Sequence, residues 1–205
     1  SSLRDENLCI IQAGRMHESS GGMKVKIAGS TLELVIGDIT LQETDVVVNA
    51  ANNQLAGGGG VDGAIHCVGG PAIMAETRQK YPRGCPTGEA VISGAGHLAA
   101  RFVVHTVGPV WAGGQRQEEE QLASAYRRSL EVVIKKGCSS AAFPSLSTGA
   151  YRFPLDLAAR CALSTVMAFL KETGKPEWVR FVLFDKSVYA TYSAVLADLL
   201  PEEMG

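Results

Sequence analysis

Hydrophobic and polar positions switch between two periods along most of this chain. Residues 24–28 and 31–36 are short and extended in pattern, broken by Gly29-Ser30, which predicts two strands and a turn. Residues 45–49 (DVVVN) form a β-branched run, as expected of a buried strand. Residues 89–93, 102–107, 141–143 and 179–184 read as further strands. Between the strands the period lengthens. Val61, Ala64, Ile65 and Val68 fall at helical spacing within 60–68. Residues 72–80 predict a second helix, started by Pro71 and stopped before Pro82. Residues 118–136 are long, charged on one face and closed by Gly137. Residues 155–171 open after Pro154 and close near Gly174, and 188–200 predict a last helix ending at Pro201.

Strands alternating with helices imply an α/β fold, a sheet covered by helices on both faces. Ligands in such sheets bind outside the carboxyl ends of strands. The polar motifs sit there: Asn49–Asn53 after DVVV, Gly108-Pro109 after VVHTV, Ser145–Tyr151 after AAFP, and Asp185 after VLF.

The length of 205 residues suits one domain. Residues 1–22, ending in Ser19-Ser-Gly-Gly22, differ in character from the rest, and Met23 is a candidate natural start. They read as an appended tail or a native extension, with 23–205 as the single domain. A net charge of -2 and the lack of a basic run offer nucleic acid no strong field. No apolar run approaches the roughly 20 residues of a membrane helix. Cys9-Ile10-Ile11 is too short for a secretory signal. The five cysteines are odd in number and scattered, with no C-x-x-C pair. Neither a disulfide framework nor a zinc cluster is expected, and the cytoplasm or another reducing compartment fits. No metal or cofactor is expected.

The segment Asn49–His66, NAANNQLAGGGGVDGAIH, carries the densest chemistry. Gly58–Gly63 satisfies G-x-G-x-x-G, but Asn49–Ala56 separates it from its strand, and no acid follows at the end of the next strand. A dinucleotide fingerprint therefore does not fit. A P-loop is excluded because no Gly-Lys-Ser/Thr follows. Bare backbone at a helix start still suits a phosphate, because its N–H groups approach closely and the helix end is partially positive. Ser145–Tyr151 has the same character, so two loops could grip a diphosphate without Lys or Arg. Either loop alone could equally be an ordinary tight turn. Asp62 and His66 share one helical face. Asp62 could instead only cap its helix, His66 could be a core histidine, and Asn52 and Asn53 could be turn residues.

Six segments together resemble the macrodomain family: Gly37-Asp-Ile-Thr40, Val48-Asn-Ala-Ala-Asn52, Gly57-Gly-Gly-Gly-Val-Asp-Gly63, His105-Thr-Val-Gly-Pro109, Ala142-Phe-Pro144 and Ser147-Thr-Gly149. They keep family order across about residues 31–190, and the GGGGVDG–His form looks like the MacroD-type hydrolase subgroup. The resemblance implies a three-layer α/β/α sandwich on a central mixed, mostly parallel sheet, binding ADP-ribose in a cleft. It places Asp38 and Ile39 at the adenine amine, with Phe184 on the adenine face. Gly58, Gly59, Gly60 and Val61, with Ser147, Thr148, Gly149, Ala150 and Tyr151, fall on the diphosphate and distal sugar. Asn52 would bond the distal ribose, and Asp62 would orient or activate a water. The implied catalytic pair is thus Asn52 and Asp62.

Two departures stand out. Arg152 occupies a position where the family often has glycine, and is strained if that position needs a positive φ. Cys67-Val-Gly-Gly-Pro71 stands where relatives often carry Arg-Ala-Ala-Gly-Pro.

The implied activity is hydrolysis of esters on the distal ribose, either ADP-ribosylated acidic side chains of proteins or O-acetyl-ADP-ribose. The implied partners are ADP-ribose, its esters and ADP-ribosylated proteins, with the chain a monomer. The rivals are a non-catalytic reader of ADP-ribose and a weak phosphatase acting on ADP-ribose 1″-phosphate.

Overall fold

The computed structural model describes residues 22–200, so the tail or extension at 1–22 lies outside the described residues except for Gly22, as does Pro201. Seven strands and five α-helices follow in chain order. They are β1 (Met23–Ile27), β2 (Ser30–Ile36), β3 (Val46–Ala50), α1 (Gly60–Gly69), α2 (Pro71–Lys80), β4 (Ala90–Gly94), β5 (Phe102–Thr106), α3 (Glu118–Lys135), β6 (Ser140–Phe143), α4 (Leu155–Thr173), β7 (Trp178–Leu183) and α5 (Lys186–Leu199). The elements match those the sequence predicts, with ends shifted by one or two residues. One element has no forecast, a 3-10 turn over Ile39–Leu41.

The sheet order is β1-β2-β7-β6-β3-β5-β4. The pairings from β2 to β5 are parallel, and the hairpins β1/β2 and β4/β5 add an antiparallel strand at each edge. The β1/β2 hairpin turns through Ala28 and Gly29, both at positive φ. Central strands send alternate residues to opposite faces, so apolar residues on both faces are the mark of a sheet covered twice. Val47, Val103, Ala142 and Val182 pack with Ile65 of α1 and Ile73 of α2. Their neighbours Val46, Val48, Val104, Phe143 and Phe181 pack with α3, α4 and α5 through Leu122, Tyr126, Leu163 and Tyr192. The result is a three-layer α/β/α sandwich around a mixed, mostly parallel sheet.

Cys85, Cys138 and Cys161 are free thiols. Cys67 is disulfide-bonded. Among the described residues no helix is long and apolar enough to cross a membrane. Among the same residues no group of three or more His, Cys, Asp or Glu side chains could hold a metal.

Candidate functional site

Parallel strands end together, so the loops after β2, β7, β6, β3 and β5 line one edge of the sheet. Along that edge stand, in order, Asp38, Phe184, Ser145–Tyr151, Asn49–Asp62 and Gly108. From β2 to β3 is three strand spacings, about 14 Å. That length suits an elongated ligand with different chemistry at its two ends.

At the β2 end, Gly37 N–H donates to Leu183 O at 3.0 Å, which sets Asp38 beside Phe184. Asp38 starts the 3-10 turn: its Oδ1 accepts from Thr40 N at 2.8 Å and Thr40 Oγ1 at 2.7 Å. Its Oδ2 has no hydrogen-bond partner among the described residues. The Asp38 carbonyl accepts from Gln42 Nε2 at 2.8 Å, and Gln42 Oε1 accepts from Arg180 at 2.8 Å. Arg180 is anchored on Glu33 at 2.8 Å. Burial alone would raise the Glu33 pKa, but hydrogen bonds from Arg180 and Lys24 outweigh it and hold it below the ordinary value. A charged strut on the sheet thus fixes the loop carrying Asp38. Phe184 is 77% exposed, an aromatic face left open to a planar partner.

In the middle lies the loop after β6. Phe153 N–H donates to Ser147 O at 2.9 Å and Arg152 N–H to Gly149 O at 3.0 Å, closing the loop on itself. Thr148 Oγ1 bonds Ser145 Oγ at 2.9 Å, and Tyr192 braces that serine at 2.9 Å from α5. Ser147 and Arg152 both sit at positive φ, +63° and +57°. Arg152 is therefore strained, which decides between the alternatives its place in a glycine position left open. A Cβ on Gly108 would fall 2.1 Å from Ser147 Oγ, so a larger residue there would have to displace the Ser147 hydroxyl. Tyr151 O accepts from Trp111 N at 2.8 Å, tying the loop to the segment beyond β5. The N–H groups of Thr148 to Tyr151 have no protein acceptor among the described residues.

At the β3 end the glycine loop enters α1. The helix is capped by Gly59, with no side-chain cap. Asp62 is therefore not the cap that the bland reading required. Its Oδ1 accepts from Asn49 Nδ2 at 2.7 Å and meets His66 Nε2 at 3.2 Å. Its Oδ2 faces Gly58, whose added Cβ would lie 3.4 Å from it. Asp62 is 6% exposed, buried enough for these contacts to hold it rigidly. The N–H groups of Gly58 to Asp62 have no protein acceptor among the described residues, as at any helix start. A Cβ on Gly63 would meet Gly58 O at 2.6 Å, so that glycine is what lets the loop fold onto the helix.

Asn52 fills the turn role in full. Its carbonyl accepts from Leu55 N at 3.0 Å, its Oδ1 from Ala56 N at 3.1 Å, and its Nδ2 donates to Gly57 O at 2.8 Å. One N–H remains for a ligand. Asn53 is purely structural, bonded to Cys85 O and Thr87 Oγ1 at 3.1 Å each.

Asn49 and His105 carry no assigned role in the sequence reading, yet they form the floor of this end. Both are buried, at 0% and 1% exposure, and Asn49 Nδ2 lies 3.1 Å from His105 Nδ1. Burial, aided by the charge of His66, pushes the His105 pKa down to about 4 despite Asp62 and Glu76 nearby. The only sequence signal was a polar residue inside each of two apolar strands.

A family model described as Macro domain matches residues 48–162. An O-acetyl-ADP-ribose deacetylase of Cronobacter sakazakii is 51% identical over 169 residues, 82% of this chain and 94% of the relative. A solved Oceanobacillus iheyensis macrodomain with ADP is 44% identical, with a TM-score of 0.85 over 89% of this chain and 98% of that one. A Trypanosoma brucei macrodomain in complex with ADP-ribose is 39% identical, with a TM-score of 0.75 over 80% of this chain and 68% of that one.

Proposed function

Because the chain belongs to the Macro domain family, we propose that it binds ADP-ribose and hydrolyses esters on the distal ribose. The observation that carries this reading is the placement of Asp62. One carboxylate oxygen is tied to Asn49 and His66, and the other turns toward a glycine loop rich in unpaired N–H groups. A reader would need no such fixed carboxylate beyond a phosphate loop. The naming of the Cronobacter sakazakii relative as a deacetylase of O-acetyl-ADP-ribose agrees with it.

The ligand lies along the sheet edge. Adenine rests on Phe184 with its exocyclic amine donating to Asp38 Oδ2, beside the Ile39 backbone. The diphosphate takes N–H groups from Gly58, Gly59, Gly60 and Val61 on one side and from the Ser147–Tyr151 loop on the other. Asn52 offers its remaining N–H to the distal ribose, and Tyr151 flanks that sugar. Asp62 Oδ2 orients a water and takes its proton. The water oxygen adds to the acyl carbon of an acetyl ester, or to the anomeric carbon of a glycosyl ester. In the acetyl ester the acyl C–O bond breaks and Asp62 returns the proton to the departing ribose oxygen, giving ADP-ribose and acetate; in the glycosyl ester the C1″–O bond breaks and the protein side-chain carboxylate leaves with the bonding pair. One site thus serves both esters.

Calorimetry with ADP-ribose tests binding. Incubation with O-acetyl-ADP-ribose, a glutamate-ADP-ribosylated protein and ADP-ribose 1″-phosphate, side by side, tests turnover. Release from the two esters at higher rates than from the phosphate supports the proposal. Binding without release from any of them leaves a reader.

A further inference from the structure

Asn49 Nδ2 has two hydrogens, and both are committed. One goes to Asp62 Oδ1 at 2.7 Å and the other to His105 Nδ1 at 3.1 Å. The second bond requires Nδ1 to be unprotonated. Ser93 decides this. Its hydroxyl donates to Gly94 O at 2.9 Å, which uses its single proton. At its 2.8 Å contact with His105 Nε2 the same hydroxyl must therefore accept, so Nε2 carries the ring proton. Gly94 is in turn held by Glu76, which accepts from its N–H at 2.9 Å.

The chain of bonds runs across rigid strands. Asn49 and His105 are registered partners on β3 and β5, and His105 faces Val91 of β4 on the other side. Asn49 Oδ1, by contrast, is buried and has no partner. Turning the amide over would aim that oxygen at the Asp62 carboxylate and at the bare Nδ1 of His105. An unsatisfied acceptor is thus retained so that both N–H groups point the right way, and an orphan of this kind calls for a functional reason.

We propose that His105 is a positioning residue for hydrolysis: its Nε2-protonated tautomer locks the Asn49 amide, which fixes Asp62 Oδ1 and leaves Oδ2 turned to the glycine loop. The role rests on the hydrolase reading above. His105 lies beside Asn49 on the next strand and is 1% exposed, so it acts through kcat and leaves ADP-ribose affinity alone.

The test compares His105→Gln with His105→Asn in the full chain, using O-acetyl-ADP-ribose turnover, ADP-ribose calorimetry and melting temperature. The Asn side chain sets its oxygen where Nδ1 stood and still accepts from Asn49. The Gln amide reaches toward Ser93 and leaves the Asn49 N–H without an acceptor. Expected is a fall in kcat of about tenfold for His105→Gln, the rate equivalent of one hydrogen bond. Its ADP-ribose Kd stays unchanged, and His105→Asn keeps most of the wild-type kcat. Unchanged kcat in His105→Gln overturns the proposal. So do equal losses in both variants, or a loss of affinity matching the loss of kcat, since either marks a merely structural residue. Should His105→Gln not fold, Ser93→Ala decides: it frees the tautomer, so kcat must fall at unchanged Kd, and an unchanged kcat overturns the proposal. Asp62→Ala runs alongside. Full turnover in it removes Asp62 as the catalytic base and the role of His105 together, whereas no turnover by the wild type removes the hydrolase reading itself. An inactive Asp62→Ala beside a fully active His105→Gln removes only the role of His105.

Discussion

Acid should destabilise this fold through His105 before it reaches the carboxylates. The imidazole is 1% exposed, and its pKa is held at about 4 by burial and the neighbouring His66. In the unfolded chain the same group titrates near 6.5. Between these values the unfolded state binds the extra proton, so stability is whole above about pH 6.5 and drains away as pH falls toward about 4. The full difference is on the order of 3 kcal/mol, and about 2 kcal/mol of it is gone by about pH 5. Glu33, Asp45 and Glu76 are held below their ordinary values, so their contributions are lost mainly below about pH 4.5, beneath the interval assayed here. The assay is urea unfolding of wild type and His105→Asn at about pH 7.5 and about pH 5. Wild type should lose about 2 kcal/mol more than the variant across that interval. Parallel losses in the two proteins would refute the claim that a neutral, buried imidazole underlies the site.

Three further outcomes follow from single positions. Asp38→Asn keeps the Oδ1 contact to Thr40 but places a donor where the adenine amine also donates. ADP-ribose should weaken by about 1–3 kcal/mol, while the inosine analogue, which presents a carbonyl, should gain; equal losses in calorimetry would make Asp38 structural. Gly63→Ala puts a Cβ 2.6 Å from Gly58 O and must displace the glycine loop. ADP-ribose affinity should fall by about tenfold or more while the helix gains propensity, and unchanged affinity would remove that loop from the binding site. Arg152→Gly relieves a residue at φ +57°. After the added chain entropy of glycine, denaturant melts should show a gain of about 0.5–1 kcal/mol, and a loss would mean Arg152 makes a stabilising contact that outweighs its strain.

The sequence pattern reaches far into this structure where the information is local. The DVVV run is β3, the Gly137 and Gly174 stops close α3 and α4, and every polar motif lies at a strand end. Arg152 was marked as unusual because it fills a frequent glycine position, but its positive φ is seen only in the fold. What stayed hidden depends on register. Asn49 reads as the last residue of the DVVVN strand and His105 as one residue of another, because nothing local shows that β3 and β5 pair them across 56 residues. Glu118 is a second case. It heads a run of three glutamates that reads as a solvated helix face, yet it is 1% exposed. Its carboxylate accepts from the N–H groups of Ala112, Gly114 and Arg116 and clamps the loop before α3. Its partners are backbone atoms, which leave no trace in residue identity. Asn52 shows the converse: a residue singled out for chemistry also serves as a full turn brace, and sequence cannot rank the two tasks.

The central claim is that Asp62 does chemistry and does not merely shape its helix. Asp62→Asn tests it most directly, because the amide oxygen can still accept from Asn49 Nδ2, a bond of 2.7 Å in the native site, while the carboxylate base is gone. The measurement is steady-state hydrolysis of O-acetyl-ADP-ribose, with ADP-ribose affinity determined on the same folded sample. A fall in kcat on the order of 100-fold or more at nearly unchanged affinity is expected. Wild-type turnover by the folded variant would contradict it.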